Sequence, residues 1–208
     1  MKKYSNYLYL AAFISLMIPT PGRFVFGFTL LLELLLLTIF GNLFYYLLER
    51  LNFTEVKHML VLAFLITFAT LYKEIFVICQ TEVALVLGLL FYLPPLSIFV
   101  IYNILRNRNK PLSAKIIQTG PESLLFFLFG LVFFLLRDIL AYGTFTFYGS
   151  GHMIYEAVLI ENDTAGFFTF FASIQGVLLI FGLILMLAKY IDYKFEIIEN
   201  LEKQNALS

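Results

Sequence analysis

Residues 24–48 read FVFGFTLLLELLLLTIFGNLFYYLL, and Glu33 is the single acidic or basic side chain in the run. An α-helix rises about 1.5 Å per residue, so about 20 apolar residues cross the roughly 30 Å hydrocarbon core of a bilayer. This stretch is apolar around its whole circumference. A helix on a soluble core would instead carry a polar face. Residues 24–48 therefore predict a transmembrane helix, and the rest of the chain repeats the pattern.

Five further stretches qualify: Tyr4 to Ile18, His58 to Cys79, Val83 to Leu105, Ser123 to Ala141 and Gly166 to Ala188. The chain of 208 residues is 61% hydrophobic and 13% charged, with a mean hydropathy of +0.90. Soluble domains sit near one half and one quarter for those two shares. Fourteen Lys and Arg balance fourteen Asp and Glu, which excludes a polybasic nucleic-acid binder. The single cysteine, Cys79, cannot form an internal disulfide or by itself supply a four-thiolate cluster. Met1-Lys2-Lys3 ahead of an apolar run resembles a secretion signal, but an A-x-A-type cleavage site is missing and more apolar spans follow. The first segment reads as a retained helix.

Lys and Arg concentrate on the cytoplasmic side of membrane proteins. Eleven of the fourteen lie before span 1, between spans 2 and 3, between spans 4 and 5, or after span 6. Arg23, Lys73 and Arg137 are the other three. This asymmetry predicts cytoplasmic N and C termini. The segment Tyr142 to Ala165, with Glu156, Glu161 and Asp163 and no Lys or Arg, is then external. With no Trp in the chain, tyrosines supply the interfacial belt.

A split near Pro111 gives two halves of three spans, and the odd count forces opposite orientations. The predicted fold is an all-α polytopic membrane domain over residues 1–208. It has six transmembrane helices in two inverted repeats, about 1–80 and 81–190, and a cytoplasmic tail at 191–208. The first span of each half carries prolines, Pro19 and Pro21 in one and Pro94-Pro95 in the other. Proline lacks a backbone donor and clashes with the preceding turn, so a proline pair inside a span breaks the helix. Paired interruptions point to a midplane site between repeats. For Pro19 and Pro21 an external turn is the other reading.

An ionisable group at the bilayer centre costs about 2.5 to 3.5 kcal/mol on insertion scales. Glu33 is the most central. It reads either as an ion or proton ligand facing the bundle, or as a neutral carboxyl hydrogen-bonded to a neighbouring helix. Glu33, Pro94 and Pro95 are the candidate ion path and gate. Arg137 and Asp138 are adjacent, so they cannot face each other on a helix and must have separate partners. Ala172 and Gly176 have the spacing that lets helices approach closely. Lys73 can snorkel to the headgroups, and His58 and His152 fall at opposite membrane sides, which argues against a shared metal site. No catalytic or metal-ligating residue is assigned, and no phosphate loop, H-E-x-x-H, G-x-S-x-G or C-x-x-C is present.

The string Leu136-Arg137-Asp138-Ile139-Leu140-Ala141-Tyr142-Gly143-Thr144-Phe145 resembles the "Arg-Glu, two apolar, Gly-x-Gly-Thr-Leu" signature of the RnfE/RsxE and NqrD membrane subunits. The acidic residue is shortened to Asp138, and Ala141 stands for a glycine. Gly182 to Asp192, GLILMLAKYID, is similar to that family's closing "Gly-Leu-Met-Leu-Ala-x-Lys-Tyr-x-x-Asp". Gly41-Asn42-Leu43 and Phe53-Thr54-Glu55-Val56-Lys57 fall where the family has an Asn-Leu pair and a "Thr-Pro-x-Glu-x-Arg" loop.

The resemblance implies a non-catalytic six-helix subunit of an Rnf or Nqr complex in the bacterial inner membrane, coupling electron transfer to Na+ or H+ movement. It also implies an oppositely oriented paralogue as partner, flavins in partner subunits, and a structural or subunit-contact role for Arg137, Asp138, Gly143 and Thr144, to which the small-residue spacing adds a helix-packing role for Gly176. The family's two cysteines, thought to share a [2Fe-2S] cluster with the paralogue, fall near Ser15 and near Val100 or Ile101. Neither is cysteine here, so this chain alone binds no cofactor. Two other classes share the composition: the six-helix substrate-binding component of a vitamin-type uptake transporter, and a purely structural assembly factor.

Overall fold

The computed structural model describes residues 2–51, 53, 55–106, 112–159 and 169–205. Among them the chain forms helices α1 (Lys2–Met17), α2 (Phe24–Arg50), α3 (Lys57–Cys79), α4 (Thr81–Leu87), α5 (Leu93–Leu96), α6 (Ile98–Arg106), α7 (Leu112–Tyr142) and α8 (Ile174–Asn205). Short 3-10 turns at Gly88–Tyr92 and Thr169–Ala172 and one β-hairpin complete it.

Four segments are long and apolar enough to cross a bilayer: Phe24–Arg50, Lys57–Cys79, Thr81–Arg106 and Ile117–Tyr142. This is the make-up of a helical membrane protein. α1, with 16 residues, and the apolar part of α8, Ile174–Leu187, are shorter. After the second 3-10 turn, the sixth apolar segment is helical from Ile174. Gly166, Glu161 and Asp163 lie outside the described residues. The tail predicted from residue 191 continues α8 as one helix to Asn205.

α2 is the axis of the bundle, with 67% of its most apolar window buried against 22% for α3. Lipid is as apolar as leucine, so helices in it associate by close packing and by polar bonds, not by a hydrophobic drive. Glycines make the close packing possible. A Cβ at Gly27 would lie 2.1 Å from the Phe134 ring, at Gly130 2.7 Å from Leu31, and at Gly41 2.4 Å from Ile104. The first two contacts lock α2 to α7 in antiparallel fashion, and the third seats α6 on α2.

The all-α expectation needs correction beyond α7. β1 (Thr144–Tyr148) pairs antiparallel with β2 (Ile154–Val158), from Thr144 opposite Val158 to Tyr148 opposite Ile154. Alternating β-branched and aromatic residues, TFTFY, favour a strand. The connection Gly149 to Met153 closes with Gly149 N–H donating to Met153 O at 3.0 Å. Gly151 and His152 take the left-handed backbone there, at φ 76° and 66°.

The expectation of a proline break in the first helix of each half is met in one half only. α1 ends at Met17, and Pro19 and Pro21 lie in the turn that leads to α2, so they join two helices and do not interrupt one. In the second half the break is real and longer than the proline pair. It opens at Gly88, whose φ of +46° is costly for any residue with a Cβ, and closes at Ser97, extended at φ −63°, ψ 131°. Pro94 and Pro95 start a new turn, α5, where their missing N–H groups are tolerated. Ser97 then caps α6, its Oγ accepting from Phe99 N–H at 3.3 Å.

Candidate functional site: a buried carboxyl beside a broken helix

Glu33 lies nine residues into α2, about 14 Å along its axis. It is 0% exposed, and neither carboxyl oxygen has a hydrogen-bond partner among the described residues. Phe26 and Leu30, seven and three residues earlier, share its face of α2. They pack in one apolar cluster with Tyr72 of α3 and with Leu87 and Phe91 of the interrupted segment. The carboxyl thus sits where α2 meets α3 and the helix break.

One turn from Glu33 is a small polar ladder centred on Thr29. Thr29 Oγ1 donates to Val25 O at 2.7 Å and accepts from the Tyr148 hydroxyl at 2.7 Å, while the Tyr72 hydroxyl donates to Thr29 O at 3.1 Å. Tyr148 belongs to β1, so the ladder leads from the hairpin into the bundle beside Glu33. Burial pushes the Tyr148 hydroxyl up to about 12 from its usual 10.0. Thr29, Tyr72 and Tyr148 were not among the residues expected at a site. Thr29 could have been found from its helical spacing to Glu33, but nothing local in the sequence connects the tyrosines to it.

The hairpin is fastened over this corner by polar contacts. Arg23 pairs with Glu156, Ile154 N–H donates to Glu82 Oε2 at 2.7 Å, and Gln80 Nε2 donates to Gly149 O at 3.2 Å.

The adjacent Arg137 and Asp138 do have separate partners, all within this chain. Both are buried, at 1% and 0% exposed. The Arg137 guanidinium donates to Thr20 O at 2.6 Å, Met17 O at 3.4 Å and Ala172 O at 2.8 Å, which ties the end of α1 and the second 3-10 turn to α7. Helix ends leave carbonyls without partners, and a guanidinium fork suits them. Asp138 Oδ2 accepts from Phe24 N–H at 3.1 Å, Thr146 N–H at 2.9 Å and Thr146 Oγ1 at 2.7 Å, and its Oδ1 accepts from Thr144 Oγ1 at 3.3 Å. A carboxylate from α7 therefore caps α2 and holds β1.

Gly143 terminates α7 at φ 64°, its N–H donating to Ile139 O at 2.9 Å. Gly176 packs inside the chain, since a Cβ there would meet Phe170 O at 2.3 Å. Ala172 lies in the 3-10 turn, so Ala172 and Gly176 do not form a small-residue stripe along one helix. Pro94 and Pro95 are buried in the break, whereas Arg137 and Asp138 hold the turn before α2 and its first N–H, Gly143 and Thr144 follow α7, and Gly176 lies in the first turn of α8.

The positions implied for an iron-sulfur cluster do not fit one. Ser15 is exposed and its hydroxyl donates to Ala12 O at 2.9 Å within α1. Val100 is a fully buried aliphatic side chain, and Cys79 is exposed at the end of α3. This donor set offers no thiolate pair.

No protein-family model matches this chain, and no curated protein matches it at a significant level.

Proposed function

We propose that this protein is an integral membrane subunit of an Rnf/Nqr-like electron-transport complex, in which electron transfer drives Na+ or H+ movement and Glu33 belongs to the ion path. In this reading the six apolar segments span a bacterial inner membrane as two inverted repeats, with both termini cytoplasmic. Oxidoreductase chemistry resides in flavin-bearing partners, and an oppositely oriented paralogue packs beside this chain.

The observation that carries the reading is the Glu33 carboxyl, fully buried near the middle of a long apolar helix without a hydrogen-bond partner. An intramembrane carboxyl is costly to keep, and its usual justification is a moving ion or proton. Two features support it. A helix interrupted from Gly88 to Ser97 abuts the same corner, and interrupted helices at membrane depth expose backbone groups that can meet an ion. The strings Leu136–Phe145 and Gly182–Asp192 carry the family resemblance.

The test is purification of the tagged chain from its native membranes, followed by ion-transport measurements on vesicles of wild type and Glu33→Gln. Recovery with flavoprotein and iron-sulfur subunits, with Glu33→Gln assembling normally but losing most ion coupling, is the expected result. Recovery with ATPases, or alone, would overturn the electron-transport assignment. Unchanged coupling in Glu33→Gln would remove Glu33 from the path.

A further inference from the structure

A second set of buried polar groups lies on the opposite side of α2 from Glu33. Asn42 is nine residues, about two and a half turns, beyond Glu33 and so faces away from it. Its Nδ2 donates to Thr38 O at 2.8 Å and to Thr119 Oγ1 of α7 at 3.5 Å, and its Oδ1 has no partner. Asn103 of α6 is 0% exposed, with neither Oδ1 nor Nδ2 hydrogen-bonded, and Ser123 of α7 is 2% exposed with a free Oγ.

The packing register brings these residues to one level. α6 and α7 run antiparallel with Phe99 stacked on Phe126 at 4.5 Å. One turn further along α6 is Asn103, and one turn back along α7 is Ser123. Ile104, next to Asn103, fills the notch at Gly41, next to Asn42. Ser123 is also one turn from Thr119, which meets Asn42. By this register three helices place amide and hydroxyl groups at one level of the bundle.

We infer that α2, α6 and α7 enclose a binding site for ordered water, built from Asn42, Asn103 and Ser123. The unused groups are two carbonyl oxygens, one NH2 and one hydroxyl. Water can both accept from the NH2 and donate to the oxygens, and two to four such partners are what a buried water requires. A bare cation would satisfy only the oxygens, would leave the Asn103 NH2 facing like charge, and would lack a carboxylate among these residues. Water bonded in this way holds α6, the half-helix beyond the break, to α2 and α7 through exchangeable bonds. This inference stands independently of the electron-transport reading.

The experiment is X-ray radiolytic footprinting of the full chain in detergent equilibrated with 18O-water, because X-rays convert bound water to hydroxyl radicals that add to the aromatic rings they touch. Phe126 should take up label despite its burial. Asn103→Leu and Ser123→Ala should each lower that label about threefold or more, while labelling of the exposed hairpin stays constant. Asn103→Leu should also lower the melting temperature, since it removes bonded partners; a dry, unpaired amide would give a more stable variant instead. Exchange of Na+ for choline at constant ionic strength should leave the melting temperature unchanged. Absence of label in the wild type, stabilisation by Asn103→Leu, or a Na+-specific shift would overturn the water site, the last in favour of a cation. Should Asn103→Leu fail to fold, Ser123→Ala and the wild-type labelling still decide.

Discussion

At the scale of single residues, among the described residues, buried Asp138 has partners for both carboxyl oxygens and buried Glu33 has none for either. Asp138 accepts from two backbone N–H groups and two hydroxyls on different elements. Asp138→Ala leaves the Phe24 and Thr146 N–H groups without an acceptor and should cost about 3 kcal/mol, measured as loss of stability in detergent. Tyr148 gives a pH prediction with a definite sign. Its hydroxyl titrates near 10.0 when exposed and at about 12 in place, so the folded chain holds a proton that the unfolded chain has released between those values. Stability from docking Tyr148 is present below pH 10 and falls as pH rises towards 12. Tyr148→Phe should abolish that loss in an alkaline unfolding series. Adjacency alone showed that Arg137 and Asp138 face different partners. Which partners they were depended on Thr20, Phe24, Thr146 and Ala172, as many as 117 residues away for Thr20.

At the scale of elements, the α2–α7 contact rests on Gly27 and Gly130, where a ring and a leucine enter space that a Cβ would fill. Gly27→Val puts branched carbons into the Phe134 ring and should cost about 1 to 3 kcal/mol, seen as a lower melting temperature. The helices were legible because apolar runs of this length have no other stable environment. The break was half legible: Pro94-Pro95 marks its centre, but Gly88 and Ser97, which bound it, look ordinary in the sequence. The hairpin was missed although TFTFY, a glycine-containing turn and IYEAV carry a strand pattern.

At the scale of the whole molecule, the arrangement of charge predicts a sidedness that the single cysteine can report. Cys79 is exposed at the hairpin end of α3. With cytoplasmic termini, a membrane-impermeant maleimide should label it in intact cells whose outer barrier has been opened, and Cys79→Ser should remove the signal. Protection until the membrane holding the chain is permeabilised would invert the topology. The sequence by itself determined the membrane environment, the positions of the four long helical segments and the cost of Glu33, because these depend on composition and spacing along one strand of chain. Only the tertiary structure decided that Glu33 has no partner, that Tyr72 and Tyr148 meet at Thr29, and that Asn42, Asn103 and Ser123 share an interior. Hydrogen-bond satisfaction is a relation between distant residues, fixed by the rotation and register of packed helices. Apolar sequence leaves both of these degenerate until glycine notches and buried polar bonds select one.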